Sequence, residues 1–143
     1  MASLIDQALA KYPREDLTRT PTPLEHLPHF SAQVGPEVYL KRDDLTDLAL
    51  GGDKPRKLEY ELAAAGEAGA TVIVTCGSAQ SNHARLTTAA ARKLGMKCAV
   101  VLSRDEREQF QGNLLAVYLM GADVQFVDTA DHWDLEKEAY ALC

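Results

Sequence analysis

Three short runs constrain this chain more than anything else in it: "TVIVTC" from Thr71, "KCAVVLS" from Lys97 and "DVQFV" from Asp123, each followed by residues at helical spacing. Short, nearly continuous runs rich in β-branched residues are what a parallel strand covered on both faces requires. Between them, Leu58, Leu62 and Ala65 mark a helix from Pro55 to about Gly69. Leu86, Ala89, Ala90 and Leu94 mark a second from Asn82, and Asn113 to Met120 and Trp133 onward read as two more. Pro55 suits a first helical position, while Gly69, Gly95 and Gly121 suit helix ends. "EVYLKRDD", with Val38 and Leu40 alternating with Tyr39 and Lys41, adds a strand ahead of these. The order β-α-β-α-β-α-β-α predicts an α/β fold: an open parallel sheet with helices on both faces and right-handed crossovers. Before it, residues 3–12 read as a short helix and "TRTPTPLEHLP" as an extended arm, because proline excludes helix interiors and central strands.

At 143 residues the chain has the length of one domain, and its formal net charge of -6 argues against nucleic acid or an anionic membrane as partner. No apolar run approaches the roughly 20 residues of a membrane span, and the N-terminus lacks a signal-peptide core. A cytoplasmic location is expected. Cys76, Cys98 and Cys143 are far apart and without CxxC spacing, so reduced thiols are expected rather than a disulfide framework or a zinc site.

In sheets of this kind ligands sit beyond the carboxyl ends of the strands, where loops enter helix N-termini. Two turns fall there. In "GSAQSN" the free N–H groups of the first helical turn would face a ligand, with Ser78, Gln80, Ser81 and Asn82 as short donors and acceptors for a carboxylate or a phenolic oxygen. The same residues also fit a plain helix cap. In "GGDKPRK" a lysine, Lys54, stands at a helix mouth, where the positive end of the macrodipole opposes protonation of an amine, as nucleophilic imine chemistry requires. Gly51 and Gly52 allow close approach of the backbone to a flat ligand, although an exposed turn with a solvated lysine fits the spacing as well. Neither turn carries the GxGxxG or GxxxxGK spacing of a nucleotide loop.

The remaining polar residues read as structural. His26 and His29 bracket Leu27 and Pro28 and are expected in a surface loop, not a metal site. Asp43 and Asp44 read as turn and cap groups, and Trp133 as a packing residue of the last helix.

Together, "KRDDLTDLALGGDKPRKLEYEL", "GSAQSNHAR" and "GNLLAVYLMGADV" closely resemble the pyridoxal-phosphate enzymes related to D-cysteine desulfhydrase and 1-aminocyclopropane-1-carboxylate deaminase, of the tryptophan-synthase-β-like fold. The resemblance runs from about Thr20 to Val127. It implies that pyridoxal 5'-phosphate is the cofactor and that Lys54 forms its internal aldimine. Ser81 is implied as an acid/base or carboxylate contact, Asn82 as a hydrogen-bond donor to the phenolic oxygen, and Gln80, Ser81, Asn82 and His83 as the substrate wall. The implied reaction is β-elimination from a small D-amino acid, D-cysteine giving pyruvate, sulfide and ammonia. Ring opening of the aminocyclopropane acid is the sister reaction. "QSNH" leans to the desulfhydrase branch, and Asp53 stands where the family usually has asparagine.

The resemblance also implies a division: residues 1–50, arm and strand, go with a large domain, and residues 51–143 form the small cofactor domain. The phosphate cradle and the partner of the pyridine nitrogen belong to a second half of the family fold. The chain is therefore expected to be a fragment, a split enzyme completed by another chain, or a module that serves assembly. Association with a second copy or with that half is expected, because the strand of "EVYLKRDD" would have lost most of its native neighbours and kept an unpaired edge.

Overall fold

The computed structural model describes residues 3–104, 109–129 and 131–143, with the side chain of His132 excepted. The expected polar loop "RDEREQFQG" lies partly outside them. The elements are α1 (Leu4–Leu9), β1 (Leu24–His26), α2 (Pro28–Val34), β2 (Tyr39–Lys41), a 3-10 turn (Asp43–Leu45) and α3 (Pro55–Glu67). They continue with β3 (Val72–Ser78), α4 (Asn82–Lys93), β4 (Lys97–Ser103), α5 (Gly112–Leu119), β5 (Asp123–Val127) and α6 (His132–Ala141).

The parallel sheet has three strands in the order β3-β4-β5, with Val72 opposite Lys97 and Ala99 opposite Asp123. Two right-handed crossovers stepping in one direction put their helices on one face. Accordingly α3, α4 and α5 pack side by side, and α6 returns across β3 and β4 on the other face. The core between sheet and helices holds Leu58, Leu62, Leu86, Val100, Leu102 and Val117. Burying one such side chain contributes about 1.5–3 kcal/mol. The buried alanines of α4, Ala84, Ala89, Ala90 and Ala91, let it lie close to its neighbours. Leu17 and Leu48, from the N-terminal part, join the same cluster.

The fourth strand of the expected order is not in this sheet. β2 pairs antiparallel with β1, Leu24 opposite Lys41 and His26 opposite Tyr39, in a separate two-stranded ribbon. Every residue of both strands is exposed, so neither has a face to bury in a central position. β2 thus has one strand neighbour, β1, in this chain. The proline-rich arm runs extended as expected, up to its last residue. Pro23 and Pro28 lie just outside β1, where no ladder N–H is lost, and Pro28 opens α2.

Two further expectations are corrected. His26 is a strand residue whose Nε2 lies 3.0 Å from Glu37, and His29 is in α2, so neither is in a loop. Trp133 is 71 % exposed, because α6 turns Leu135, at 4 %, toward the sheet instead. The three thiols are free, with Cys98 buried. Among the described residues no helix is long and apolar enough to cross a membrane.

Candidate active site

The N-termini of α4 and α5 meet at the carboxyl ends of β3 and β4, and the loop entering α3 is tied to α4 beside them. Lys54 sits at the N-cap of α3, and its Nζ donates to Asp53 Oδ2 at 2.7 Å. That contact holds the Asp53 carboxyl below the usual carboxylate range. The loop before Lys54 folds back on itself. Gly52 N donates to Asp43 O at 2.9 Å and to Thr46 Oγ1 at 2.9 Å, and Thr46 Oγ1 donates to Gly52 O at 2.7 Å. Ala49, Leu50 and Gly51 take φ of 39°, 74° and 74°, a left-handed path that only the glycine adopts without cost.

Asp43 anchors this loop to α3. Its carboxylate accepts from Arg56 Nε at 2.6 Å, Arg56 Nη2 at 2.7 Å and Thr22 Oγ1 at 2.7 Å. Arg56 is the main reason that its pKa is lowered to about 2, against 3.8 for a free aspartate. A depressed carboxylate stabilises the fold above the unfolded value, and that contribution disappears as pH falls from about 4 through 2. Because the Arg56 side chain is 41 % exposed, we discount it to about 1 kcal/mol. Asp43→Asn should therefore be about 1 kcal/mol less stable than wild type at pH 6 in urea unfolding, and the gap should close toward pH 2.

Across from this loop, Ser81 caps α4: its Oγ accepts from Ala84 N at 3.2 Å. The close turn needs Gly77, since a Cβ there would stand 2.9 Å from Ser81 Oγ. Asn82 Oδ1 accepts from two donors, Arg85 Nη2 at 2.9 Å and Asn113 Nδ2 at 3.1 Å. With its oxygen held from both sides, the Asn82 amide is oriented, and its Nδ2 is left as a donor without an acceptor among the described residues. Gln80 braces α5: Oε1 accepts from Asn113 N at 2.9 Å, Nε2 donates to Gln111 O at 3.1 Å, and Gln80 O accepts from Asn113 Nδ2 at 2.7 Å.

His83 follows Asn82 and feels the charge of Lys54. It lines a cleft of about 440 Å³ beside β3 with Lys57, Thr75, Cys76, Glu136 and Tyr140, which Lys54, Ser81 and Asn82 do not line. Burial first, then the nearby Lys57 charge, pushes the His83 pKa down, which favours a neutral imidazole at pH 7. Burial first, then the Glu136 charge, raises that of Cys76, so its thiol is not activated.

Lys54 and Asn82 are thus linked through the loop and α4, with Gln80 and Ser81 shaping the turn, and His83 in a neighbouring cleft. Two residues that sequence reasoning passed over make that link. Arg85 donates to Ala49 O, to Gly51 O at 3.1 Å and to Asn82, joining both turns. Asn113 joins α5 to both Gln80 and Asn82. Arg85 had one legible signal, its place one turn after Asn82; Asn113 had only its position after Gly112 at a helix start.

Comparison with known proteins gives the family and the fold. A "Putative 1-aminocyclopropane-1-carboxylate deaminase" of Pyrococcus horikoshii is 45% identical over 131 residues, 92% of this chain and 40% of that protein. A "D-cysteine desulfhydrase" of Klebsiella pneumoniae is 44% identical over 127 residues, 85% of this chain and 39% of that protein. The chain thus spans about two fifths of the length of these curated relatives. A crystal structure of an "ACC deaminase homologue" superposes with a TM-score of 0.92 at 43% identity, over 99% of this chain and 43% of the other. A "pyridoxal 5'-phosphate-dependent aspartate racemase" superposes at 0.67 with 25% identity, over 85% of this chain and 36% of the other. The family described as "Pyridoxal-phosphate dependent enzyme" matches residues 16–143, nine tenths of the chain, and this chain is a member of that family.

Proposed function

We propose that this chain contributes the lysine wall of a pyridoxal-phosphate site in a lyase or deaminase acting on a small amino acid. The observation that carries the reading is Asn82: its oxygen is fixed by Arg85 and Asn113, so a free amide donor is aimed from the mouth of α4. The donor set fits the cofactor. Asn82 Nδ2 suits an anionic ring oxygen, Lys54 supplies the amine, and Gly51 and Gly52 keep the loop thin. When bound, the cofactor supplies an electron sink for a carbanion at the substrate α-carbon.

The chain's own part is then to position and to move protons. Lys54 Nζ, released from Asp53, would carry the cofactor and afterwards take or return a proton at the substrate carbons. Ser81, at the same helix mouth, would contact the substrate carboxylate or act as an acid/base. Gln80 and His83 would bound the pocket, Gln80 by holding α5 in place and His83 as a neutral ring from the adjoining cleft. Residues 51–143 would form the cofactor domain, with residues 1–50 associated with a larger domain such as the longer relatives have room for.

D-cysteine β-elimination is the reaction we favour, on the sequence "QSNH" and the relative bearing that name. Opening of the aminocyclopropane acid is the second reading, supported by the 45% identity to a protein so named. A half that works by assembly is the third, supported by coverage of only 40% of that relative.

Incubation with pyridoxal 5'-phosphate and borohydride, followed by peptide mass mapping, should place the reduced cofactor on Lys54. Sulfide release from D-cysteine supports the first reaction, and ammonia from the aminocyclopropane acid without sulfide from D-cysteine supports the second. Labelling without turnover, with turnover restored by a second copy or a chain carrying the rest of the family fold, supports the third. No label on Lys54 overturns the proposal.

A further inference from the structure

Arg85 is 4 % exposed, and among the described residues no carboxylate pairs with it. Among those residues its guanidinium donates only to oxygens of amide type: Ala49 O, Gly51 O and Asn82 Oδ1. Among the described residues its Nε has no hydrogen-bond partner. A buried cation without a counter-ion is costly, and a chain keeps one when the charge serves something nearby. Burial alone moves the Arg85 pKa downward, with no opposing anion.

The nearest outlet for that charge is Asn82. A guanidinium donating to an amide oxygen polarises the amide, so its N–H groups become stronger donors. The same guanidinium holds the backbone on which Lys54 stands, through Gly51.

We propose that Arg85 is a positioning residue for the anionic ring oxygen of the cofactor: it orients and polarises Asn82 while locking the Lys54 loop to α4. The proposal rests on the reading given under Proposed function, that Asn82 faces the cofactor. Arg85 does not itself touch it. A positive charge behind the amide favours the deprotonated ring oxygen, so its loss moves that proton equilibrium to higher pH by about one unit.

The test uses the whole chain with pyridoxal 5'-phosphate and a cycle of Arg85→Gln, Asn82→Ala and the double variant, with folding checked by circular dichroism. Without cofactor, the Asn82 side-chain NH₂ signals in ¹⁵N NMR should move in Arg85→Gln toward the position of a free amide. With cofactor, the pH midpoint of the visible absorbance should rise by about one unit in each single variant and no further in the double variant. Should Arg85→Gln melt, Arg85→Lys replaces it. Its smaller rise must likewise vanish in the Asn82→Ala background. Unmoved Asn82 signals, an unmoved midpoint, or additive midpoint shifts overturn the proposal. Wild-type protein without a Lys54 adduct overturns the cofactor reading itself, and this inference with it, whereas labelled wild type with unmoved variants overturns this inference alone.

Discussion

Lys54→Ala should abolish cofactor attachment and leave the fold intact. The Lys54 side chain makes one described contact, an ion pair with Asp53 whose carboxylate is 67 % exposed. Exposed pairs of this kind are worth up to about 1 kcal/mol, and many contribute nothing measurable. Its place at the first turn of α3 costs no buried packing, because Pro55 and Leu58 carry that. Thermal unfolding of the variant should therefore follow wild type within a few degrees. In contrast, the borohydride-trapped mass should disappear entirely, along with visible absorbance and turnover, since no other amine stands on this loop. A trapped mass that persists in Lys54→Ala and maps to Lys57 would show that the wrong lysine has been assigned.

The second large effect is expected at Gly51, and here the loss should be of stability. A Cβ at Gly51 would lie 2.1 Å from Asp44 O and 2.9 Å from Thr46 O. These are backbone atoms, which cannot rotate away, and φ is +74°. An L-residue pays about 1–2 kcal/mol for that region before any clash. With the clash added, Gly51→Ala should lose on the order of 3 kcal/mol, a fall in Tm of about 10 °C for a chain of this size. Gly51 N would also surrender its bond to Leu48 O, and Gly51 O its contact with Arg85. The variant should then fail to label Lys54 even below its own Tm. A variant that melts like wild type and labels normally would mean that the loop does not need this path.

How much of this was legible in the sequence depends on the range of the interaction that decided it. The three strands, their order of appearance and helices α3 to α6 follow from local runs of apolar residues, and "KCAVVLS" matches β4 residue for residue. The separate ribbon was not legible. β2 has the alternation of a strand, but its partner β1 is a three-residue piece between prolines, which no periodicity window can register. Trp133 misled for a related reason. Helical spacing says which residues share a face, and only the packing of α6 decides which face is buried.

In the site, each turn alone also fitted a plain cap or an exposed turn, and it was their pairing with the family resemblance that pointed to Lys54, Ser81 and Asn82. Arg85 showed only its place one turn after Asn82, since a buried guanidinium bonded to carbonyl oxygens looks in sequence like any polar position on a helix. Gln80 carried an expectation of substrate contact. The structure shows its amide occupied at both ends by α5, which puts its influence on the pocket one step back.

The Arg85 link is anchored, on the loop side, to two backbone carbonyls and to no side chain. Inheritance can therefore rewrite positions 49 and 50 without touching the lock, provided the replacements tolerate a left-handed backbone. Leu50, 82 % exposed, has nothing of its own to keep. What the lock asks of this segment is a handedness of the chain, so the same lysine can be held in the same place by different letters leading up to it.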